Sequence, residues 1–379
     1  MKYCIKCLYP ETKPELKFDE NGICDACRSV DAKEDINWNE RRKDLEKILE
    51  QYKSRDDNRY DCIIPVSGGK DSHFQTHIIK NEFGLNPLLV SFHPRDFTKI
   101  GRQNIENIKN FGVDCIEFSA DPLVYKKLAK FGLTELGDCA WPEHIGIFTV
   151  PVQVAVAYKI PLIIWGENPQ MEYGGPATVT SRPYLDREWN EKHGGYFLDK
   201  IKPADMVKYG IGLKDLKPYL YPSDEEIKQI GVTGIFLGYF MKWDARKQLQ
   251  IVKEKGFNVL DLPNEGTYTN YENLDTKYVA MHDYFKFLKF GFGRTTDHAS
   301  IDIRNKRLSR EEGIKLIKQH EGKIPTKYLN EFLDDFELTA DEFLKICEKF
   351  TNKSLFKQDD KGNLIRDSSN NIQKISYDN

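Results

Sequence analysis

Short apolar runs alternate with longer amphipathic segments through the first half of the chain. The runs at 62–66, 87–92 and 161–166 are almost entirely apolar, as strands buried on both faces are, and 113–118 is predicted as a further strand. Helical patterns separate them, at 97–111, 121–135 and 145–158. Alternating strands and helices form parallel sheets with right-handed crossovers, so the pattern predicts an α/β fold.

Helical periodicity dominates on both sides of this region. We expect a charged helix at 38–53, a polar link at 54–59, helical structure over 203–260 with an apolar stretch at 234–240, and an amphipathic helix at 244–255 that ends at Gly256. Further helices are expected at 278–287 and, with breaks, at 309–350, followed by an exposed, frayed polar tail from 351. The predicted division is 1–30, 31–57, 58–260 and a mainly helical 261–379.

A glycine turn follows the first strand, in the sequence PVSGGKDS. Strand, glycine turn and helix N-terminus together form an anion site, because backbone N–H groups and the helix dipole converge there. The members of this loop are Ser67, Gly68, Gly69, Lys70, Asp71 and Ser72. A carboxylate such as Asp71 suits a phosphate site that also holds Mg²⁺.

The spacing of this loop is not that of a Walker A loop, because its two glycines are adjacent and directly precede the lysine. It resembles the S-G-G-x-D-S loop of PP-loop ATP pyrophosphatases, which cleave ATP between the α and β phosphates. An ordinary glycine turn is the simpler interpretation. The resemblance to PP-loop enzymes, by contrast, implies ATP binding and adenylylation of a substrate oxygen.

Ligands of parallel sheets lie beyond the carboxyl ends of the strands. That rule brings three loops around one pocket, 67–72, 91–95 and 166–168, and makes Ser91 and Gly166 candidate ATP contacts. The glycine-rich and polar segment 166–200 then predicts a substrate lid. Its candidate site residues are Glu167, Asn168 and Glu172, each of which is also an ordinary residue for a solvated loop.

A second glycine-rich segment, GFGRTTDH, places Arg294, Asp297 and His298 close together in the sequence. Arginine can clamp a phosphate or carboxylate with two hydrogen bonds, which predicts substrate contacts here. The alternative interpretation is a turn with a surface salt bridge.

Two C-x2-C pairs occupy the first thirty residues. Cys4, Cys7, Cys24 and Cys27 have the spacing of a closed tetrahedral zinc site. Incidental cysteines and an iron–sulfur cluster are the alternatives. A segment this small needs its metal to fold, so we expect structural Zn²⁺.

The composition is that of an ordinary globular protein, with 40% hydrophobic and 30% charged residues and a formal net charge of −3. This balance provides no global basic field for nucleic acid. The chain lacks a signal-peptide pattern and any apolar run of membrane-spanning length, and its eight cysteines suit reduced thiols. We therefore expect a cytoplasmic protein that binds neither nucleic acid nor membrane.

Adenylylation leaves the final nucleophile open. Sulfur, a substrate amine and ammonia are the three candidates. A tRNA thiolation enzyme is the second interpretation, although Cys62, Cys115, Cys139 and Cys347 are single and widely spaced. A zinc-stabilised nucleotide-binding module without catalysis is the third.

Four segments in order resemble the bacterial N-acetyl sugar amidotransferases of lipopolysaccharide and flagellar sugar synthesis, which include those of pseudaminic acid pathways. They are the two cysteine pairs, PVSGGKDS, LIIWGENPQMEYGG and GFGRTTDHASIDIR. The resemblance implies conversion of a sugar acetamido group into an acetamidino group, with ATP, Mg²⁺ and ammonia from a separate glutaminase, of the kind paired with a cyclase subunit.

By this resemblance, Lys70 and Asp71 serve phosphate and Mg²⁺. Glu167 is the first choice to orient ammonia or accept its proton, as a carboxylate beside a cationic nucleophile does. Arg294 would contact pyrophosphate or an acidic group on the sugar, with Asp297 and His298 nearby.

Overall fold

The computed structural model describes residues 1–54, 59–175, 182–193 and 201–375. Its centre is one parallel sheet of five strands, in the order β3-β2-β1-β4-β5. The strands are β1 Cys62–Pro65, β2 Pro87–Phe92, β3 Asp114–Phe118, β4 Leu162–Trp165 and β5 Thr233–Phe236. The predicted α/β class is confirmed.

Helices flank the sheet and continue into a helical C-terminal region. The α-helices are α1 Asp25–Glu34, α2 Trp38–Tyr52, α3 Lys70–His77, α4 Lys99–Lys109, α5 Pro122–Phe131, α6 Trp141–Tyr158, α7 Pro169–Tyr173, α8 Arg187–His193, α9 Leu213–Leu216, α10 Asp224–Ile230, α11 Leu237–Phe240, α12 Ala245–Lys253, α13 Val279–Phe290, α14 Arg294–Arg304, α15 Arg310–His320, α16 Leu329–Phe336 and α17 Ala340–Phe350. Short π-helical turns, Ile78–Glu82 and Gly132–Leu136, extend α3 and α5, and 3₁₀ turns are at Pro203–Tyr209, Lys217–Tyr219 and Lys353–Leu355.

Each face of the sheet has its own hydrophobic core. Ile63 of β1 packs into one cluster with Ile163 of β4, and the next residue, Ile64, packs into the other. Successive strand side chains point to opposite faces, so both faces require apolar residues. This is why β1, β2 and β4 appear in the sequence as nearly continuous apolar runs, whereas the edge strand β3 is partly exposed and contains charged residues.

The strand order places a switch point between β1 and β4. Ile63 pairs with Leu88 on one side and with Ile163 on the other. The chain runs outward from β1 through β2 to β3 and then returns to β4. Loops that leave β1 and β4 therefore diverge to opposite faces, which opens a crevice beyond their carboxyl ends.

Residues 1–34 pack against the C-terminal helices rather than against the sheet. The rings of Tyr9 and Phe292 meet edge to face at 6.1 Å between centroids. Arg310 donates a hydrogen bond to the carbonyl of Cys7 at 3.2 Å. The backbone N–H of Leu8 donates to Ser300 at 3.3 Å. The N-terminal segment is thus joined to α14 and α15.

Two predictions about secondary structure were wrong. The expected helical stretch at 203–260 contains β5, because four residues with an apolar core are too few to show a period and pairing with β4 selects the extended form. The tail beyond 351 is not frayed within the described residues. Phe356 pairs with Lys374, and Leu355, Phe356 and Ile372 are buried.

The predicted lid at 166–200 is described only in part, since residues 176–181 and 194–200 lie outside the described ranges. Its described portions carry α7 and α8, and Trp189 of α8 is buried against Phe236 of β5 at 5.1 Å between ring centroids. Its closure over a substrate stays a prediction.

Candidate functional site

The turn after β1 is shaped by two glycines with different tasks. Gly68 has a φ of +85°, and a Cβ built there would lie 2.8 Å from Cγ1 of Ile105. Only glycine fits both constraints. Gly69 lies at the N-terminal boundary of α3 with ordinary extended backbone. The turn therefore delivers the chain directly into the helix, as the anion-site interpretation requires.

Serine side chains hold this turn together from within. The N–H of Ser67 donates to Oγ of Ser72 at 3.0 Å, and the N–H of Gly69 donates to Oγ of Ser67 at 3.2 Å. The Ser67 hydroxyl also hydrogen-bonds the carboxylate of Asp275. The sequence-predicted serines thus fix the loop conformation.

Lys70 begins α3, and its side chain is 3% exposed. Its Nζ lies 2.6 Å from Oδ1 of Asp71 and 3.5 Å from Oε1 of Glu272. Although burial lowers the pKa of Lys70, the carboxylates of Asp71 and Glu272 outweigh it and the pKa is raised. Lys70 is therefore a fixed positive charge in an acidic setting.

Glu167 reaches the same place from the end of β4. Its loop passes so close to α3 that a Cβ added at Gly166 would lie 2.0 Å from Nε2 of Gln75. The N–H of Gly238 also donates to the carbonyl of Gly166 at 2.9 Å. Burial and the neighbouring Asp71 raise the pKa of Glu167 to about 8. A carboxyl that titrates near neutrality is suited to proton transfer.

Lys70, Asp71, Glu167 and Glu272 line one cavity of about 130 Å³ at the switch point of the sheet. Six of the predicted site residues meet there although they come from three distant segments: Lys70, Asp71, Glu167, Glu172, Arg294 and His298. The ionisable residues lining it are Lys70, Asp71, Glu167, Glu172, Tyr173, Asp244, Tyr271, Glu272, Arg294, His298, Asp302 and Arg307. Carboxylates outnumber lysine and arginine side chains, so the wall favours added cations.

Arg294 is the first residue of α14. Its Nε lies 3.2 Å from Oδ2 of Asp283, and a second guanidinium nitrogen lies 3.1 Å from Oδ1. Glu321 helps to start this helix by accepting from the N–H groups of Gly293 at 2.7 Å and Thr296 at 2.8 Å. Arg294 also borders two further cavities, of about 70 and 430 Å³. It therefore lies where three cavities meet.

Asp297 and His298 point to different surroundings. Asp297 forms an ion pair with Lys286 and lines the 430 Å³ cavity. His298 lines the cavity of Lys70, and its Nδ1 lies 2.8 Å from Oγ1 of Thr267. Burial and the nearby Arg294 lower the pKa of His298 to about 3, so this ring is neutral at physiological pH.

Three other predicted residues are placed differently. The Asn168 side chain is buried and caps α7 by accepting from the N–H of Gln170 at 3.1 Å. Glu172 lines the cavity but pairs with Lys33 of α1 at 2.5 Å. Ser91 is buried within β2 and does not line the cavity of Lys70. Ligand contacts by these three residues stay predictions.

Sequence reasoning missed Glu272, which completes the setting of Lys70. It lies in the segment between α12 and α13, about two hundred positions along the chain from Lys70. Nothing in its local pattern, Tyr271-Glu272-Asn273, distinguishes it from a solvated loop. Only the turn-rich, non-periodic character of residues 258–277 marks this segment as a candidate site loop.

The four N-terminal cysteines form a second site. Sγ of Cys4 lies 3.8 Å from Sγ of Cys27, and Sγ of Cys7 lies 3.6 Å from Sγ of Cys24. A zinc tetrahedron with Zn–S bonds of about 2.3 Å has edges of about 3.8 Å. All four thiols are buried, and the N–H of Cys24 donates to Sγ of Cys4 at 3.3 Å. This cluster can bind structural zinc.

The fold and the site together define an α/β protein with a charged ligand cavity at the switch point of a parallel sheet. Residues 265–369 match a family model described as LPS biosynthesis protein WbpG-like, C-terminal domain. The match confirms the resemblance to lipopolysaccharide biosynthesis proteins and covers Glu272, Arg294 and His298.

One curated relative is an uncharacterized protein of Methanocaldococcus jannaschii, 31% identical over 120 residues. The alignment covers 31% of this chain and 43% of that protein, less than half of its length. Within the described residues, no helix combines the length and apolar character needed to cross a membrane.

Proposed function

We propose that this protein is an ATP-dependent amidotransferase of PP-loop type that converts an N-acetyl group on a sugar into an acetamidino group. The supporting observation is the convergence of Lys70, Asp71, Glu167 and Arg294 on one cavity beyond β1 and β4. The WbpG-like match at 265–369 supports a sugar of lipopolysaccharide synthesis as the substrate. A pseudaminic-type sugar of flagellin glycan synthesis is proposed as an alternative substrate on the sequence resemblance alone.

The residues at the cavity fit ATP together with Mg²⁺ better than ATP alone. ATP is anionic, and the cavity has more carboxylates than cationic side chains. Mg²⁺ bound by Asp71 and Glu272 would remove this repulsion, since carboxylate and phosphate oxygens are its usual ligands. The turn of Ser67 to Gly69 would hold phosphate oxygens, with Lys70 as a fixed charge. Bound Mg²⁺ supplies charge neutralisation during pyrophosphate release.

The proposed reaction balances without a further reagent. The N-acetyl oxygen attacks the α-phosphorus of ATP, and the α–β bridge breaks to release pyrophosphate. Ammonia then attacks the activated carbon, and the carbon–oxygen bond breaks to release AMP that carries the former acetyl oxygen. The product is an acetamidinium sugar, which keeps two of the three protons of ammonia, and the third passes to a base at the site.

Glu167 is the residue proposed to orient ammonia. It borders the cavity together with Tyr173 and faces the fixed charge of Lys70. A carboxyl group there can take a proton from an ammonium ion as it enters or from the adduct after attack. The ammonia itself is proposed to come from a separate glutaminase subunit, with a cyclase-like subunit as a further candidate partner.

The sugar is proposed to occupy the 430 Å³ cavity. That cavity shares Tyr173 and Arg294 with the cavity of Lys70, so a sugar bound there can present its acetyl group across the shared wall. Lys286 and Lys289 add positive charge to its lining. This setting favours a sugar with a carboxylate or a phosphate.

The test is to incubate the protein with ATP, Mg²⁺, ammonium and candidate N-acetylated sugars or nucleotide sugars. We expect a product about one mass unit lighter than the substrate, with AMP and pyrophosphate. A sugar labelled with ¹⁸O in its acetyl group should pass the label to AMP. Lys70→Met should abolish product, whereas the exposed control Lys47→Met should not. Formation of ADP and phosphate would refute the mechanism.

The thiolation alternative depends on a reactive cysteine near the nucleotide. Cys139 is buried and does not line the cavity of Lys70. Burial, together with the neighbouring Asp138, raises the pKa of its thiol, which disfavours the nucleophilic thiolate. Loss of all activity in a folded Cys139→Ser variant would revive this alternative.

A further inference from the structure

A second group of metal-ligating side chains lies outside the site described above. Nδ1 of His282 is 2.8 Å from Oδ1 of Asp138, and Nδ1 of His144 is 3.7 Å from Oδ2 of Asp138. The two imidazole rings are 4.8 Å apart between centroids. One ligand atom from each residue fits within 4.8 Å of the others. A zinc site with bonds of about 2.1 Å needs ligand separations of about 3.4 Å, a value that falls between the two Asp138–histidine distances.

The backbone holds these ligands in place before any metal binds. Asp138 precedes α6, and its N–H donates to the carbonyl of Gly132 at 2.9 Å. A Cβ on Gly132 would lie 2.3 Å from the Asp138 carbonyl oxygen, so the two segments touch. His144 is in the first turn of α6, and His282 is in the first turn of α13. Two helix starts and a tight turn therefore converge on one point.

Three carboxylates at this cluster have no lysine or arginine partner among the described residues. The 70 Å³ cavity beside it is lined by Asp96 and Glu143 as well as by the two histidines. Its cationic residues already have carboxylate partners: Arg95 with Asp335, Lys126 with Glu337, and Arg294 with Asp283. Across the described ranges, no lysine or arginine forms an ion pair with Asp96, Glu143 or Asp138. Of the three, Asp138 is buried, and a buried carboxylate is neutralised, paired or bound to a metal.

The cluster borders cavities on two sides. His144 and His282 line the 70 Å³ cavity, whereas Asp138 and His282 line the 430 Å³ cavity. Arg294 lines both. Three protein ligands next to open space are typical of zinc sites that keep a fourth position for water or substrate. A closed structural site, such as the four-cysteine cluster, leaves no such position.

We propose that Asp138, His144 and His282 bind one divalent transition-metal ion of the zinc class, with a remaining position open to the cavities. Two imidazoles and one carboxylate are a donor set that suits zinc and its neighbours better than Mg²⁺ or Ca²⁺. This site is separate from the four cysteines and does not depend on the proposed amidotransferase reaction.

The test is the zinc content of the full chain after equilibration with zinc and dialysis into metal-free buffer, measured by plasma mass spectrometry. After dialysis, we expect His282→Gln and His144→Ala each to contain one equivalent of zinc fewer than the unmodified protein. His320→Gln, in the remote helix α15, should lose none. Equal zinc in the unmodified protein and both cluster variants would overturn the proposal.

Folding of the variants is checked separately. Circular dichroism and retention of the cysteine-bound zinc report whether each variant is intact. Because the His144 side chain is 39% exposed, its substitution leaves no large buried void and keeps the test usable if His282→Gln misfolds. Added zinc should also raise the melting temperature of the unmodified protein more than that of His144→Ala. An equal rise in both would count against the site.

Discussion

The guanidinium of Arg294 meets the carboxylate of Asp283 through two contacts, at 3.2 and 3.1 Å. This arrangement fixes the arginine plane where three cavities join. Burial alone would raise the pKa of Asp283, but Arg294 holds it down at about 2. Asn273 adds a third contact, donating to Oδ2 of Asp283 at 2.7 Å. The pair positions a charge that α14 alone would leave free to rotate.

Asp283→Asn should lower the free energy of unfolding by about 3 kcal/mol, because it leaves the partly buried Arg294 guanidinium without the carboxylate that it pairs with. Urea unfolding at pH 7 measures this change. The control is Asp335→Asn, which breaks the half-exposed pair with Arg95 and should cost less than about 1 kcal/mol. Similar losses in both variants would contradict the importance of the Asp283 pair.

Glu167→Gln should reduce kcat/KM for ammonia by about 10²- to 10⁴-fold, because the amide cannot accept a proton. The KM for ATP should change little. At a constant concentration of uncharged ammonia, the unmodified enzyme should gain activity as pH rises through about 8, where Glu167 ionises. The variant should lack this rise. Exposed Glu188→Gln is the control, and an unchanged pH profile in Glu167→Gln would remove the proposed role.

Gly68→Ala and Gly69→Ala form a matched pair in one turn. The first places a Cβ at a φ of +85° and 3.0 Å from the backbone nitrogen of Ile105, so it should cost about 1–3 kcal/mol. The second meets only Oγ of Ser67 at 3.2 Å and should leave the melting temperature near that of the unmodified protein. Thermal unfolding of the two variants measures this difference. Equal melting temperatures would contradict the geometry of the turn.

Loss of the four-cysteine zinc site should loosen residues 1–34 and the loop that they support. Cys27→Ser is expected to lose one equivalent of zinc and to expose the N-terminal segment to limited proteolysis, since so small a core needs its metal. The Lys33–Glu172 pair would then be lost, which should raise the KM of the sugar. Cys115→Ser, outside the cluster, is the control and should resemble the unmodified protein.

His298 should make stability depend on pH in mildly acidic solution. Its pKa falls from the usual 6.5 to about 3 on folding, so the unfolded chain binds the proton first as pH drops. Stability is therefore complete above about 6.5 and declines towards pH 3, with a loss of about 2 kcal/mol between pH 7.5 and 5. His298→Gln should lack this portion of the decline, whereas His320→Gln should retain it. Urea unfolding at the two pH values measures the difference.

The C-terminal tail illustrates one limit of sequence analysis. Its composition, rich in Asp, Asn and Ser, predicted an exposed and frayed segment. However, Asp359 and Asp367 each accept backbone N–H groups two and four residues ahead, which closes two similar turns. These turns let Phe356 and Ile372 reach the core. Polar turns give a segment a fixed structure when its apolar residues pack against another part of the protein. Composition does not show where that packing surface is.

The sequence alone determined the features that depend on neighbours along the chain. Buried strands appear as continuous apolar runs because both faces of the sheet are covered. The glycine turn after β1 and the spacing of the cysteine pairs were visible because each ligand set comes from a few adjacent residues. Four of the five strands and most helix positions followed from the same short-range periodicity.

Tertiary structure decided which distant residues meet. Glu272 reaches Lys70, and His282 approaches Asp138, across more than a hundred positions, while Asp283 of α13 orients Arg294 of the next helix. The strand β5 likewise exists because β4 offers it a partner. Hydrophobic periodicity records which face of an element is buried, but it contains no information about which other element covers that face. The clusters of charged side chains in this protein therefore result from the packing of its elements.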